Sequence, residues 1–174
     1  MQAIVYTTNT GSTARYAALL AQKTGLPAYA SAEAKKAVPA GAEVLCLGWI
    51  MAGTVKGYAA AARRYQVRAV CGVGMGQTGT QEESVRKKSA VPANIPVFTL
   101  QGNFDVQKLH GLYRPMMALM AKMAGKSLAE KKNRTPEEDD MLALLRSGGT
   151  RVQKEHVSAV LTWYRAAIRG GMEG

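Results

Sequence analysis

The stretch Ala3-Ile4-Val5-Tyr6-Thr7-Thr8-Asn9-Thr10-Gly11-Ser12-Thr13 decides how this chain is organised. Residues 3–6 are an apolar run suited to a short strand. The run gives way to a loop of Thr, Asn, Gly and Ser, which opens directly into a helical stretch, Ser12–Lys23. Ala17, Leu20 and Ala21 can share a buried face there, with Gly25 as a stop signal and Pro27 beyond it. A helix N-terminus presents unpaired N–H groups and a partial positive charge, which makes it a natural phosphate site. The hydroxyls of Thr8, Thr10, Ser12 and Thr13 can add hydrogen bonds, and Gly11 lets the backbone close around an anion. No Lys or Arg lies within 7–14. Neutral donors alone suit a monophosphate held tightly; the competing reading is a polar turn that merely caps the helix.

Other phosphate loops fail on inspection. The loop lacks the Gly-Lys-Ser/Thr ending of a triphosphate loop and the spaced glycines of a dinucleotide fingerprint. It has no Cys, so it is not a thiol phosphatase loop, and no Asp follows the first or third strand as a phospho-acceptor would.

Working outward, residues 27–30 form a weak second strand, 43–48 a third, Val67–Val73 a fourth and Ile95–Leu100 a fifth, with an Ala-rich helix at 57–65. The strands are apolar throughout rather than alternating, as expected when helices cover both sheet faces. Strand–helix alternation at this spacing means right-handed βαβ units, hence an α/β, doubly wound, five-stranded parallel sheet. The C-terminal third is helical. Asp105 can cap a helix carrying Leu109, Leu112, Met116, Met120 and Met123, with Pro115 as a kink. A polar linker is expected over 125–134, and Thr135-Pro136-Glu137-Glu138 reads as a helix start. A last helix at 153–169 aligns Val157, Val160, Leu161, Tyr164 and Ile168. Residues 1–174 thus form one domain, with 106–150 as a helical insertion.

Of 174 residues, 47% are hydrophobic and 20% charged, an ordinary globular balance. No apolar run approaches the roughly 20 residues that span a bilayer. The first strand starts almost at Met1, so a cytoplasmic protein without a cleavable signal is expected. Cys46 and Cys71 sit in apolar runs and read as small core residues, and His110 and His156 are near no Cys, which argues against zinc and any other metal site. The net charge of +11 attracts anionic partners without choosing among them.

The strand followed by Thr8, Thr10, Gly11 and Thr13 in the order Thr-x-Thr-Gly-x-Thr resembles the FMN phosphate loop of flavodoxins. The resemblance covers residues 2–105 and the final helix, and it implies a sheet order of 2-1-3-4-5. FMN is then expected to be held by Thr8, Asn9, Thr10, Gly11, Ser12 and Thr13 at the phosphate. The resemblance implies two further loops gripping the ring. The first is Gly48-Trp49-Ile50-Met51-Ala52-Gly53-Thr54, where Trp49 either stacks on the flavin or packs in the core and 50–54 give backbone contacts. The second is Gly74-Met75-Gly76-Gln77-Thr78-Gly79, whose glycines permit close approach to a planar ring. It lacks the aromatic and acidic residues common in flavodoxins, which implies a more open site. Gln101-Gly102-Asn103-Phe104-Asp105 lies at the same edge, facing substrate or partner.

The basic charge and the Arg- and Met-bearing tail resemble a narrower group, the flavodoxin-like menaquinone-dependent protoporphyrinogen oxidases and their relatives. That resemblance implies an oxidoreductase passing electrons from a reduced organic substrate to a quinone-type acceptor. The alternative is a non-enzymatic electron carrier for an acidic redox partner. Nucleic acid is not expected as a partner, since no RNA motif or aromatic–basic interleaving is present. Met116, Met117, Met120 and Met123 suit either a core or a surface meeting substrate or an anionic membrane, and in the second case Arg114, Lys122, Lys126, Lys131 and Lys132 would meet acidic lipid.

Overall fold

A computed structural model describes residues 1–103, 113–147 and 151–170. The core is a mostly parallel sheet. Its strands are β1 (Ala3–Thr7), β2 (Ala28–Ala30), β3 (Glu43–Met51), β4 (Thr54–Val55), β5 (Gln66–Gly74) and β6 (Val97–Gln101). Between them run α1 (Ser12–Thr24), α2 (Ser31–Ala37), α3 (Tyr58–Arg64) and α4 (Glu82–Ser89). After them come α5 (Tyr113–Glu130), α6 (Pro136–Ser147), a 3-10 turn at Lys154–Val157 and α7 (Ser158–Gly170). Five strands pair in parallel in the order β2-β1-β3-β5-β6, and β4 pairs antiparallel with the end of β3.

Alternate residues of each strand feed two cores, one on each sheet face. Val44, Cys46, Val70 and Val97 pack with Ala34, Tyr58, Ala61 and Val85 from α2, α3 and α4. Leu45, Leu47, Cys71 and Leu100 pack with Tyr16, Ala17 and Leu20 of α1 and with Val157 and Val160. Burial on both faces is why these strands read as unbroken apolar runs. Leu20 is fully buried, and its truncation to Ala costs about 2–5 kcal/mol. Cys46 and Cys71 are free, buried and assigned to opposite cores, so the sheet itself separates the thiols.

Several elements depart from the sequence-based expectation. Helices α2 and α4 were not foreseen, and β3 continues three residues beyond 48 to fold back on β4. The polar stretch 125–130 is the last part of α5 rather than linker. Ala124, Lys126, Leu128, Ala129 and Glu130 are good helix formers, and Lys126 lies 3.9 Å from Glu130 one turn on. The start of α6 matches its sequence signal: Thr135 Oγ1 accepts from the Glu138 N–H at 3.3 Å, and Glu138 Oε2 accepts from the Thr135 N–H at 3.0 Å. Lys131 Nζ donates to both Glu138 oxygens at 2.6 and 2.8 Å, which holds that carboxyl below its ordinary range. On α7, Val160 and Tyr164 are buried, whereas Ile168 is 42% exposed.

Phe104, Asp105, Leu109, His110 and Leu112 lie outside the described residues, as do the side chains of Arg114, Met116, Met117 and Met120. Leu119 and Met123, one turn apart on α5, are 60% and 65% exposed, so Met123 does not fill a core. Among the described residues no helix is long and apolar enough to cross a membrane.

Candidate functional site

In the sheet, β2 and β3 lie on opposite sides of β1, so connections diverge at the β1/β3 boundary and open a crevice beyond the strand ends. A cleft of about 480 Å³ sits there, within the roughly 300–1,000 Å³ typical of small-molecule sites.

One corner is polar. Asn9, Thr10, Ser12 and Thr13 line it. Gly11 is the N-cap of α1 at φ 95°, a left-handed backbone that glycine tolerates, and no side chain caps the helix. The first-turn N–H groups of α1 therefore keep their donor capacity at its positive end. The Asn103 N–H donates to Ser12 Oγ at 3.0 Å, which leaves the Ser12 proton for another acceptor. Asn9 Nδ2 is buried and has no hydrogen-bond partner among the described residues, a donor in want of an acceptor. Thr8 and Gly11 do not line the cleft. Instead the Gly11 N–H donates to Thr8 Oγ1 at 3.2 Å and shapes the turn.

The second wall is the β3–β4 hairpin. Its two-residue turn, Ala52-Gly53, has φ of 51° and 80°, the paired left-handed conformation of a type I′ connection. Ser89 Oγ accepts from the Val55 N–H at 2.9 Å and Trp49 O from the Lys56 N–H at 2.9 Å, which ties the arm down at both ends. Trp49, Ile50, Met51 and Ala52 line the cleft. Trp49 is half-buried and belongs to neither core cluster of the described residues. Gly53 and Thr54 do not line the cleft. A Cβ on Gly53 would meet Lys88, and Thr54 pairs with Met51.

The third wall comes from the end of β5 and the loop after it. Gly74, Met75, Gly76 and Gln77 line the cleft, whereas Gly79 instead donates its N–H to Thr99 O at 3.0 Å and fastens the loop to β6. Sequence reasoning did not assign Val73, Thr80, Gln81, Thr99, Leu100 or Met141 to the site. Gly102 and Asn103, expected at this edge from their place after the last strand, line the cleft. Met141 arrives from α6, and nothing local announces it. Gly102 is bare by necessity: a Cβ there would lie 2.7 Å from Val73 Cγ1 and 3.2 Å from Ser12 Cβ.

None of these described lining residues is charged, although the chain carries +11. Hydroxyl and amide groups gather at the helix end. Trp49, Ile50, Leu100 and the thioethers of Met51, Met75 and Met141 make the remainder apolar. Such a cleft can take a small anion at one end and a flat apolar body at the other, with Met adapting to an aromatic face. Beneath it, the Tyr16 hydroxyl donates to Gln101 O at 2.5 Å and contacts His156 Nδ1 at 2.7 Å. Burial pushes that phenol up to about 12. Among the described residues no group of three or more His, Cys, Asp or Glu is placed to hold a metal. Comparison with family models, curated proteins and solved structures finds no match for this chain.

Proposed function

We propose that the chain is a flavodoxin-like FMN-binding redox protein, an oxidoreductase that passes electrons from a reduced organic substrate to a quinone-type acceptor. The observation that carries this reading is the neutral cleft, with the uncapped start of α1 and the orphaned Asn9 Nδ2 at one end and an apolar slot at the other. Five strands in the order β2-β1-β3-β5-β6 are the 2-1-3-4-5 arrangement once the short β4 arm is set aside, which supports the family reading.

The residues present fit the group. Asn9, Thr10, Ser12 and Thr13 would take the phosphate, and Trp49 to Ala52 and Gly74 to Gln77 would flank the ring. Bound there, FMN would supply reversible electron uptake, the redox chemistry that side chains lack. The protein's own part is to bind, to orient and to keep water from the ring with the Met and Trp side chains. None of the described lining residues titrates near neutral pH. That observation favours the second reading, a non-enzymatic electron carrier, because none of the described side chains there is an acid or base that could move a proton for a substrate. The basic surface suits an acidic partner in that case, or the anionic membrane surface that the exposed Leu119 and Met123 beside Lys122 and Lys126 would suit.

Titration of apoprotein with FMN tests the reading. Saturable quenching of flavin fluorescence at one FMN per chain is the expected result, and a folded protein that gives none overturns it. Steady-state turnover with a reduced substrate and a quinone then separates enzyme from carrier.

A further inference from the structure

A second cavity, of about 640 Å³, adjoins the neutral cleft, and Gln77 lines both. Its chemistry is the opposite of its neighbour's. Arg151, Asp140, His156, Gln101 and Thr78 line it, and all are polar. Most of these groups are fixed by one another. Arg151 Nη2 donates to Asp140 Oδ1 at 2.9 Å, Gln101 Nε2 donates to Asp140 Oδ2 at 2.9 Å, and the Gln101 N–H donates to Thr78 Oγ1 at 2.9 Å. The Arg151 N–H donates to Asn103 Oδ1 at 2.6 Å, which pins its backbone to the rim of the main cleft.

Two groups remain unspent. Arg151 Nε is buried and has no partner among the described residues. Asp140 takes one prong of the guanidinium, but its second oxygen is turned to Gln101, so the neighbouring prong points at nothing. A buried donor left in this way is destabilising unless an acceptor completes it. The other group is His156. Tyr16 has one phenolic proton and gives it to Gln101 O, so His156 Nδ1 must be the donor to Tyr16 Oη. Its Nε2, left as an acceptor, has no hydrogen bond among the described residues.

The geometry points to a carboxylate subsite: the polar cavity takes the carboxylate of a small organic acid on Arg151 Nε, next to His156, and the ligand's apolar body extends toward Gln77 at the border of the neutral cleft. Carboxylate is the matching group because a planar guanidinium edge offers its donors in the plane that a planar anion fills. Past Gln77 the cavity continues into the neutral cleft, whose described lining is uncharged, and into a pocket lined by Met75, Leu128 and Met141 together with Glu138 and Asp140, so an acid with an organic, partly apolar body suits the continuation. The +11 charge of the chain raises the local concentration of any such anion. The carboxylate assignment rests on the polar cavity alone, whichever group occupies the neutral cleft beside Gln77.

Benzoate is a suitable probe, followed by the imidazole proton resonances of the whole protein. The chain has two His, and His110→Gln assigns the signals. Benzoate should shift the His156 resonances saturably, and benzamide, the uncharged isostere, should bind about tenfold or more weaker, as loss of a charged hydrogen bond requires. Arg151→Gln should weaken benzoate by a similar factor. Arg151→Lys should weaken it too, because it keeps the charge and loses the fork; both variants keep the backbone bond to Asn103, and circular dichroism checks their fold. Absence of a saturable shift, equal binding of benzamide, benzoate affinity unchanged in either variant, or inorganic phosphate binding more tightly than benzoate would each overturn the carboxylate assignment. Because FMN quenching is read separately, failure here is distinguishable from failure of the cofactor reading.

Discussion

Asn103 donates its backbone N–H to Ser12 Oγ at 3.0 Å, joining the loop after β6 to the first residue of α1. The bond holds the Ser12 hydroxyl with its oxygen committed and its proton available. Through Asn103 Oδ1 the same residue accepts from the Arg151 N–H, so one residue connects the neutral cleft to the polar cavity.

Ser12→Ala should therefore act twice. Ser12 is buried, and its loss leaves the Asn103 N–H without an acceptor, at about 1–3 kcal/mol of stability. FMN affinity should fall as well, because the phosphate corner loses a donor. Urea unfolding and FMN titration measure the two effects separately. A variant as stable as the native chain would mean that the Asn103 N–H finds another acceptor.

Thr10→Val with Thr13→Val keeps side-chain shape and removes only hydroxyls. If both donate to phosphate, each contributes about 1.5–3 kcal/mol to a charged acceptor. The double variant should then bind FMN on the order of a hundredfold or more weakly. Thr8→Val is the control, since Thr8 does not line the cleft and serves only the turn at Gly11. An unchanged dissociation constant in the double variant would place the phosphate elsewhere.

What the sequence made legible follows from how local each signal is. The loop from Thr8 to Thr13 is read from neighbours alone, and the capping box at Thr135 and Glu138 needs only four residues. The β3–β4 hairpin is hidden because its first turn residue is Ala52, which has no turn preference; a left-handed Ala is imposed by the pairing of Ile50 with Val55 and Met51 with Thr54. Met141 and Arg151 are invisible for another reason: the fold brings them to the site from beyond the last strand. The extent of α5 was missed because a polar surface helix and a polar linker share a composition, and only contacts distinguish them.

That hairpin is testable. A left-handed backbone costs an ordinary residue about 1–2 kcal/mol, and Asn or Gly much less. Ala52→Asn should stabilise the protein by up to about 1 kcal/mol in urea unfolding. Gly53→Ala should do the reverse, since Gly53 is also left-handed at 80° and its Cβ would meet the Lys88 side chain. Destabilisation by Ala52→Asn would mean that the turn is not of the paired left-handed type.

The buried acids set an alkaline limit on the fold. Burial raises the Cys46 thiol from 9.0 to about 12 and the Tyr16 phenol from 10.0 to about 12, and raises the Cys71 thiol as well. In each case the neutral form is the one the interior accepts. The folded state thus holds protons that the unfolded chain releases, so these groups add stability that is complete below about pH 9 and is lost as pH rises through about 12. The urea midpoint should be level up to about pH 9 and fall above it. Cys46→Ala with Cys71→Ala should be less stable at neutral pH, because two buried sulfurs leave voids, yet should show a shallower alkaline decline, since only Tyr16 of the three still titrates. Tyr16→Phe should lower the midpoint at every pH, because the Gln101 carbonyl and His156 Nδ1 both lose their shared partner. A midpoint that does not change between about pH 9 and 12 would show that these groups ionise without unfolding the chain.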